Sequence, residues 1–555
     1  MTEVAQLADE LLEVQFDADP LWPALLGVDM TRPGLGDMSE EAERRTADRM
    51  RDILDRASAL EPAELAADDR TTRDVVIAHA RAALDEFGVG LAELTVTDLF
   101  VAPAAQLLSL LPMHSVGDET AMRAYLDRLA AVPDHFEQAL DRHRAGVRAG
   151  RTPVKHLVEA AIAHLDRYLS ESEADPLLQP QAPASLAEEF DAVRASLLTE
   201  VVRPAFATYR DGLAHEIAPH ARSSDRPGLC WLPGGEDAYR TLARVHTTTT
   251  RSPAELHDTG RALIDELAGE YTEVGARVFG TRALDEIFDR LRTDPELRWS
   301  SADELLDDAR EAIGRAEREA PRWFGSIPPQ PWVVDEIPAA AAPGAPAAYY
   351  MQPATDGSRP GTYFANTYKV TERFKHTSEA TAFHEVIPGH HFQLSTAQLL
   401  EHLPLLRKLG GFTAYIEGWG LYTERLAREM DLYSDDVAVL GMLANDSMRA
   451  GRLVVDTGLH AKGWSRQQAV DYLAANTPMP KVEVESEVDR YIAYPGQALS
   501  YMVGRLEIQR VRAMAERSLG ADFDVREFHD HVLGCGAVPL AVLERVIGSW
   551  ASGEA

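Results

Sequence analysis

The sequence predicts a mainly α protein with one small β-hairpin, and three observations carry that prediction. Segments rich in Ala, Leu, Glu and Arg repeat with helical periodicity from residue 1 to about 325; prolines and two β-like stretches crowd the interval from Ile327 to Thr367; helical periodicity then returns to the end. In the first interval, Ala121 to Val132, Ser185 to Asp211 and Ser252 to Val278 read as helices, and strand signals are scarce. Arg226-Pro227-Gly228 and Leu232-Pro233-Gly234-Gly235 mark turns between helices. Ser252-Pro253-Ala254-Glu255 combines a capping serine, a proline in the first turn and a glutamate three residues after the cap, which starts a helix there. No repeat period suggests a solenoid.

In the second interval Pro328, Pro329, Pro331, Pro338, Pro343 and Pro346 break helical continuity. Ala347 to Gln352 and Gly361 to Lys369 flank Asp356-Gly357-Ser358-Arg359-Pro360-Gly361, so a hairpin is the economical reading. The change of texture divides the chain into 1–326, a helical region, and 327–555, the region that carries the chemistry. At 555 residues there is ample apolar surface for a large core.

Composition narrows the function. Hydrophobic residues make up 45% and charged residues 26%, an ordinary globular profile. The formal charge of −34, from 89 acidic against 55 basic residues, repels phosphate backbones and anionic lipid headgroups, so neither nucleic acid nor a membrane is an expected partner. Cys230 and Cys535 are the only cysteines, which excludes a disulfide framework and a thiolate zinc site. The first residues, MTEVAQLADELLEVQFDADPLW, lack a basic segment followed by an apolar run, and no stretch approaches the roughly 20 apolar residues of a membrane span; the expected location is the cytoplasm.

The informative stretch is Ala382-Phe383-His384-Glu385-Val386-Ile387-Pro388-Gly389-His390-His391-Phe392-Gln393. In the HExxH motif two histidines one helical turn apart share a metal, and the intervening glutamate activates water. Here Pro388 holds the place of the second histidine, and the pattern becomes HExxPGH. At about 100° per residue, position i+6 points about 120° away from the first histidine, so a regular helix cannot bring His384 and His390 to one ion. The helix must be distorted. Pro388 and Gly389 supply the means for a bulge, after which His390 takes the second ligand position. His391 is the rival: i+7 restores the face but adds about 10 Å of rise.

A carboxylate from a second helix completes the site. In Gly410 to Glu424, Glu417 and Glu424 lie seven residues apart on one face among aromatic neighbours, and Gly418 and Gly420 let another helix approach. Glu417 is the expected third ligand, and Glu424 is expected to orient a histidine from behind.

At these residues the chain resembles a bacterial family labelled domain of unknown function 885, which is grouped with helical zinc metallopeptidases whose third ligand is glutamate. The likeness rests on His384 to His391, Glu417 to Glu424 and Arg490 to Tyr501, with further matches at Asp356 to Gly361, Val455 to His460 and Leu232 to Gly235. The resemblance implies a helical, metallopeptidase-like body with a deep central cleft, one zinc ion on its floor, and a short sheet edge along which an extended substrate lies. It favours His390 as second ligand, because related peptidases end the motif in Gly-His. Two departures stand out: Met502 where a lysine is expected, and Gly420 where alanine is usual.

Three protein ligands leave a metal an open position, and Glu385 is placed to act as general base on its water. Tyr491 is the first candidate for the donor that stabilises the oxyanion, with Tyr494 and Tyr501 behind it, because a turn at Pro495-Gly496 can aim these phenols at a cleft. Gln497 and Arg505 are candidate substrate-binding groups. Asp456 and His460, four apart on a helix, read as an acid orienting a catalytic imidazole. His391 is a candidate substrate contact, and Tyr350 and Asn366 fall on the expected sheet edge.

The leading expectation is a zinc-dependent hydrolase of a peptide or small amide. A biosynthetic amidase, lyase or iron-dependent enzyme is the second, since two histidines and a carboxylate also suit iron. A peptide-binding scaffold without activity is the third. Monomer and homodimer are both compatible with the sequence.

Overall fold

The computed structural model describes residues 2–553 except 30, 172–174, 339–341, 343–345, 356 and 358. Helices dominate, as the periodicity predicts. The helix expected from Ser252 is Pro253–Val278, and its start carries the full reciprocal cap: the Ser252 hydroxyl accepts from the Glu255 amide while the Glu255 carboxylate accepts from the Ser252 amide. Its buried stripe, Leu256, Ile264, Leu267, Tyr271 and Val274, lies along the helix Asp436–Ala461. The two axes approach closely at Gly260, where a Cβ would stand 2.7 Å from that of Leu453.

Two of the expected helices differ in detail. Ala121 to Val132 is observed as Glu119–Ala130, capped by Asp118; a new helix, Val132–Arg148, begins where Pro133 fits a first turn. Ser185 to Asp211 is observed as Ala187–Leu197 and Arg203–Gly212 joined by a wide π-turn over Leu198–Val202. Pro204 explains the widening, because it has no amide to give to the normal ladder.

The sheet has three strands among the described residues: β1 (Trp332–Glu336), β2 (Ala348–Met351) and β3 (Gly361–Ala365), in the order β1-β3-β2. The expected hairpin is the antiparallel pair β2 and β3, with Tyr350 opposite Tyr363; of its connecting residues, Asp356 and Ser358 lie outside the described ones. Strand β1 is an addition to the expectation. It pairs parallel with β3, Trp332 opposite Gly361, and so makes β3 the central strand and β2 an edge that lies beside the helix Ser378–Glu385.

Hydrophobic clusters run across residue 326. One joins Leu7, Leu11, Ile53 and Val75 to Trp419, Tyr422, Ile508 and Phe528; another joins Tyr239, Leu256 and Tyr271 to Leu443, Leu453 and Met502. A third, around Tyr125, Phe136 and Phe206, is built from residues no later than Ala221. Helices from both parts of the chain therefore hold the later ones, which carry the site, in fixed relation.

Candidate metal centre

His384 and Glu385 sit in the last turn of the helix Ser378–Glu385. Glu379 ties its first turn down by accepting from Arg315 and from the Ser434 amide. The expected bulge is a complete break: the helix stops at Glu385 and a second one, His390–Leu399, begins at His390. Pro388 cannot continue the first helix, and Gly389 lies so close to it that a Cβ would stand 1.8 Å from the His384 carbonyl oxygen. The carbonyls of the break are not left bare. The buried Trp419 indole donates to the Pro388 oxygen at 2.9 Å.

Trp419 belongs to the helix Thr413–Glu429, which carries Glu417. Gly418 faces Gly504 of the helix Ser500–Leu519, where a Cβ would approach the Gly504 Cα to 2.5 Å. Gly420 faces the His384 ring, where a Cβ would come within 2.7 Å of Cε1 and Nε2. The glycine found where the resemblance leads one to expect alanine therefore leaves room for an imidazole.

His384, His390 and Glu417 converge, with their ligand atoms all within 4.8 Å of one another. Glu417 Oε2 is 3.4 Å from His384 Nε2 and 3.5 Å from His390 Nε2, and the two rings stand at 87° with centroids 4.8 Å apart. A good N–H···O bond is about 2.9 Å long, so these contacts are stretched as hydrogen bonds. A tetrahedral ion with bonds of about 2.05 Å spaces its donors about 3.3 Å apart, which the observed distances match. His384 Nδ1 is 2.8 Å from Glu424 Oε1, as expected for a carboxylate that fixes the tautomer and leaves Nε2 to face the other two ligands. Glu417 keeps 21% of its side-chain exposure, so the cluster is reachable from solvent.

The electrostatics of the cluster favour positive charge. With the Nδ1 proton of His384 directed to Glu424, acceptor atoms point at one another across the cluster. Without an ion a proton takes that place: burial opposes it, but Glu417 and Glu424 raise the His384 pKa to about 10. Burial likewise penalises the Glu417 carboxylate, yet His384 and His390 hold its pKa well below the usual range. Two imidazole nitrogens and one carboxylate oxygen suit zinc or ferrous iron.

Glu385 is not one of the three converging ligands. Burial pushes its pKa up, opposed by the charges of His384, His390 and Arg449. Arg449, on the helix Asp436–Ala461, was not evident from the sequence: its Nε and Nη1 are withdrawn from water without a hydrogen-bond partner among the described residues.

Several expected site residues are placed elsewhere. His391 is no substrate contact: its Nδ1 accepts from the Tyr350 hydroxyl at 2.7 Å and its Nε2 donates to the Gln330 carbonyl at 3.1 Å, so both residues clamp β2 to the His390 helix. Gly361 is needed there, since a Cβ would sit 2.3 Å from the Tyr350 hydroxyl. Asn366 is fully buried and donates to the Ala342 and Pro346 carbonyls, which makes it a tie for the preceding loop rather than part of a substrate-aligning edge.

Asp456 does not orient His460. It accepts from the Tyr239 hydroxyl and the Gly496 amide, while His460 accepts from the Leu229 amide and donates to the Tyr491 carbonyl. Burial lowers the His460 pKa to about 4, so this ring is a neutral cross-link and not a catalytic acid. Arg505 pairs through Nη1 with the buried Asp446, which also binds Arg425, and this chain braces helices. Gln497 accepts from Arg490 at 2.6 Å, and the Tyr501 hydroxyl accepts from the same nitrogen.

Tyr491 is also corrected. Its hydroxyl donates to Glu487 at 2.6 Å and accepts from Arg452, so its one proton is committed to Glu487. Glu487 is partly buried, and Arg452 and Arg490 overcome that penalty and bring its pKa to about 2 from an ordinary 4.5. Between those values the unfolded chain binds more protons than the folded one. The stabilisation is therefore complete above pH 4.5 and lost as the pH falls toward 2. Glu487→Gln is expected to cost on the order of 2 kcal/mol at pH 7 and to flatten this acid limb, which denaturant melts at several pH values will measure.

Comparison with known proteins fits this scaffold to a family. The model described as bacterial protein of unknown function (DUF885) matches residues 20–547. No curated protein matches the chain. Among solved structures, a candidate lipoprotein from Colwellia psychrerythraea is 26% identical with a TM-score of 0.92, over 99% of each chain. A candidate lipoprotein of unknown function from Shewanella oneidensis has the same fold at 18% identity, with a TM-score of 0.75 over 98% of this chain and 99% of that one.

Proposed function

We propose that this chain, which belongs to the DUF885 family, is a metal-dependent hydrolase of peptide or peptide-like amide bonds. His384, His390 and Glu417 hold one divalent cation, zinc in the first instance. The observation that carries the reading is the pair of 3.4 and 3.5 Å separations between Glu417 and the two imidazoles, the spacing of donors around a tetrahedral ion. A cation so held supplies Lewis acidity to a carbonyl and acidifies water. Glu385 takes a proton from the attacking water and delivers it to the leaving nitrogen as the C–N bond breaks, so that one water adds across the amide. Glu424 holds His384 in the tautomer that presents Nε2. With the Tyr491 proton committed to Glu487, Arg449 is the donor proposed for substrate, its Nε and Nη1 having no partner among the described residues.

The same ligands suit ferrous iron, and an iron-dependent enzyme acting on a small amino-acid derivative is the second reading. Location in the cytoplasm remains part of the proposal. No helix among the described residues is long and apolar enough to cross a membrane, while the solved neighbours are candidate lipoproteins, so cell fractionation is the test of location.

Metal analysis tests the centre. Purified protein is expected to carry about one equivalent of zinc or iron, and His390→Ala to retain less than about a tenth of it, given the 10- to 100-fold losses that follow even from disturbing a ligand's supporting partner. Hydrolysis of short peptides or acylated amino acids is expected to follow metal content. Stoichiometric metal in His390→Ala, or none in wild type after zinc loading, overturns the assignment.

A further inference from the structure

Three guanidinium groups lie around the ring of Tyr501: Arg452 at 4.4 Å, Arg449 at 5.8 Å and Arg490 at 5.9 Å from its centroid. Two are engaged. Arg452 binds Glu487 and the Tyr491 hydroxyl; Arg490 binds Glu487, Gln497 and the Tyr501 hydroxyl. Glu487 is the one carboxylate paired with either of them among the described residues, so the group carries excess positive charge. Among the described residues Arg449 has no ion pair, and Asp446, one turn before it on the same helix, is filled by Arg505 and Arg425. Its Nε and Nη1 are nonetheless withdrawn from water. A half-buried guanidinium whose inner donors are unsatisfied is stabilised by an anion that completes it, and its planar fork matches a carboxylate.

The position of this unsatisfied group adds a second constraint. The helix Asp436–Ala461, which carries Arg449, packs on the helix Ser378–Glu385, which carries Glu385 in its last turn. In any amide of an α-amino acid the carboxylate carbon is only two bonds from the amide nitrogen, which is the atom that Glu385 must protonate. A carboxylate held by Arg449 thus places the leaving nitrogen on the Glu385 side of the cluster.

We infer that Arg449 binds a free carboxylate on the leaving-group side of the scissile amide, so that the substrates are peptides cut at their last residue and N-acyl amino acids. The assignment rests on the hydrolase reading for its chemistry but not for its binding.

Calorimetric titration of the metal-free full chain with hippurate (N-benzoylglycine) and with hippuramide, its neutral amide, tests binding without turnover. Wild type is expected to bind hippurate at least about 10-fold more tightly, Arg449→Gln to lose that preference, and Arg449→Lys, which keeps the charge without the fork, to fall between. Equal affinities in wild type, or a preference unchanged in both variants, overturns the inference whatever the variants' stability. With metal loaded, the ratio of kcat/KM for a free-acid peptide to kcat/KM for its C-amidated form is expected to fall about 100-fold in Arg449→Gln. If hippurate binds through Arg449 but neither peptide is cut, the hydrolase reading fails and the carboxylate site stands. If free and amidated peptides are cut equally well by wild type, the site assignment fails and the hydrolase stands.

Discussion

Glu385→Gln is expected to lower kcat for amide hydrolysis by about 10³-fold while leaving metal content unchanged, within the range that a positioned general base contributes. The two halves of this expectation have separate origins. Metal content depends on His384, His390 and Glu417, whose ligand atoms converge without Glu385. Turnover depends on a group that accepts a proton, which an amide of the same size does not do. Glutamine also removes a partly buried ionisable group whose pKa burial raises, so the melting temperature is expected not to fall. Metal analysis, thermal melts and kcat on the same preparation check all three. Full activity in this variant excludes Glu385 as the base, and loss of metal with activity makes it a ligand instead.

What was legible in the sequence was chiefly local. The HExxPGH spacing is incompatible with one regular helix, and that alone requires the discontinuity seen between Glu385 and His390. It does not say whether a helix bulges or stops; Trp419, from another helix, decides this by hydrogen-bonding the exposed carbonyls of the break. Glu424 was readable because its seven-residue spacing from Glu417 puts both acids on one helical face. Tyr491 was misread although a local signal existed: Glu487 lies one turn earlier on the same face and takes its proton. Asp456 and His460 have the same i, i+4 relation, yet Tyr239, Leu229 and Gly496 supply nearer partners from distant segments.

Strand β1 escaped because a parallel pair has no turn to announce it. Trp332-Val333-Val334 is a β-rich run, but its partner begins at Gly361, beyond the β2 strand, and prolines surround it. Arg449 was invisible for a different reason. An arginine in a helix is unremarkable until the carboxylate one turn before it is found to be taken by Arg505 and Arg425, which is a property of the assembled structure and not of any window of sequence.

Gly389→Ala is expected to abolish stoichiometric metal binding and to cost about 3 kcal/mol or more in stability, one of the largest effects available from a single methyl group. A Cβ at 389 would stand 1.8 Å from the His384 carbonyl oxygen, 2.4 Å from its carbon and 2.5 Å from the Phe383 oxygen. These are backbone atoms of the very turn that carries the first ligand, so relief by rotating a side chain is not available. The strain must be released by moving His384 away from Glu417 or His390 away from both. Gly269, exposed in the middle of the helix Pro253–Val278 with nothing within 4 Å of its would-be Cβ, gives the same chemical change without the clash. Gly269→Ala is expected to raise stability by roughly 0.5–1 kcal/mol and to leave metal content alone. The difference between the two variants in denaturant melts isolates the contribution of the helix break from that of the glycine's flexibility. Wild-type metal content in Gly389→Ala would mean that the ligands tolerate a different path between the helices, and that the break is not what brings the second imidazole to the first.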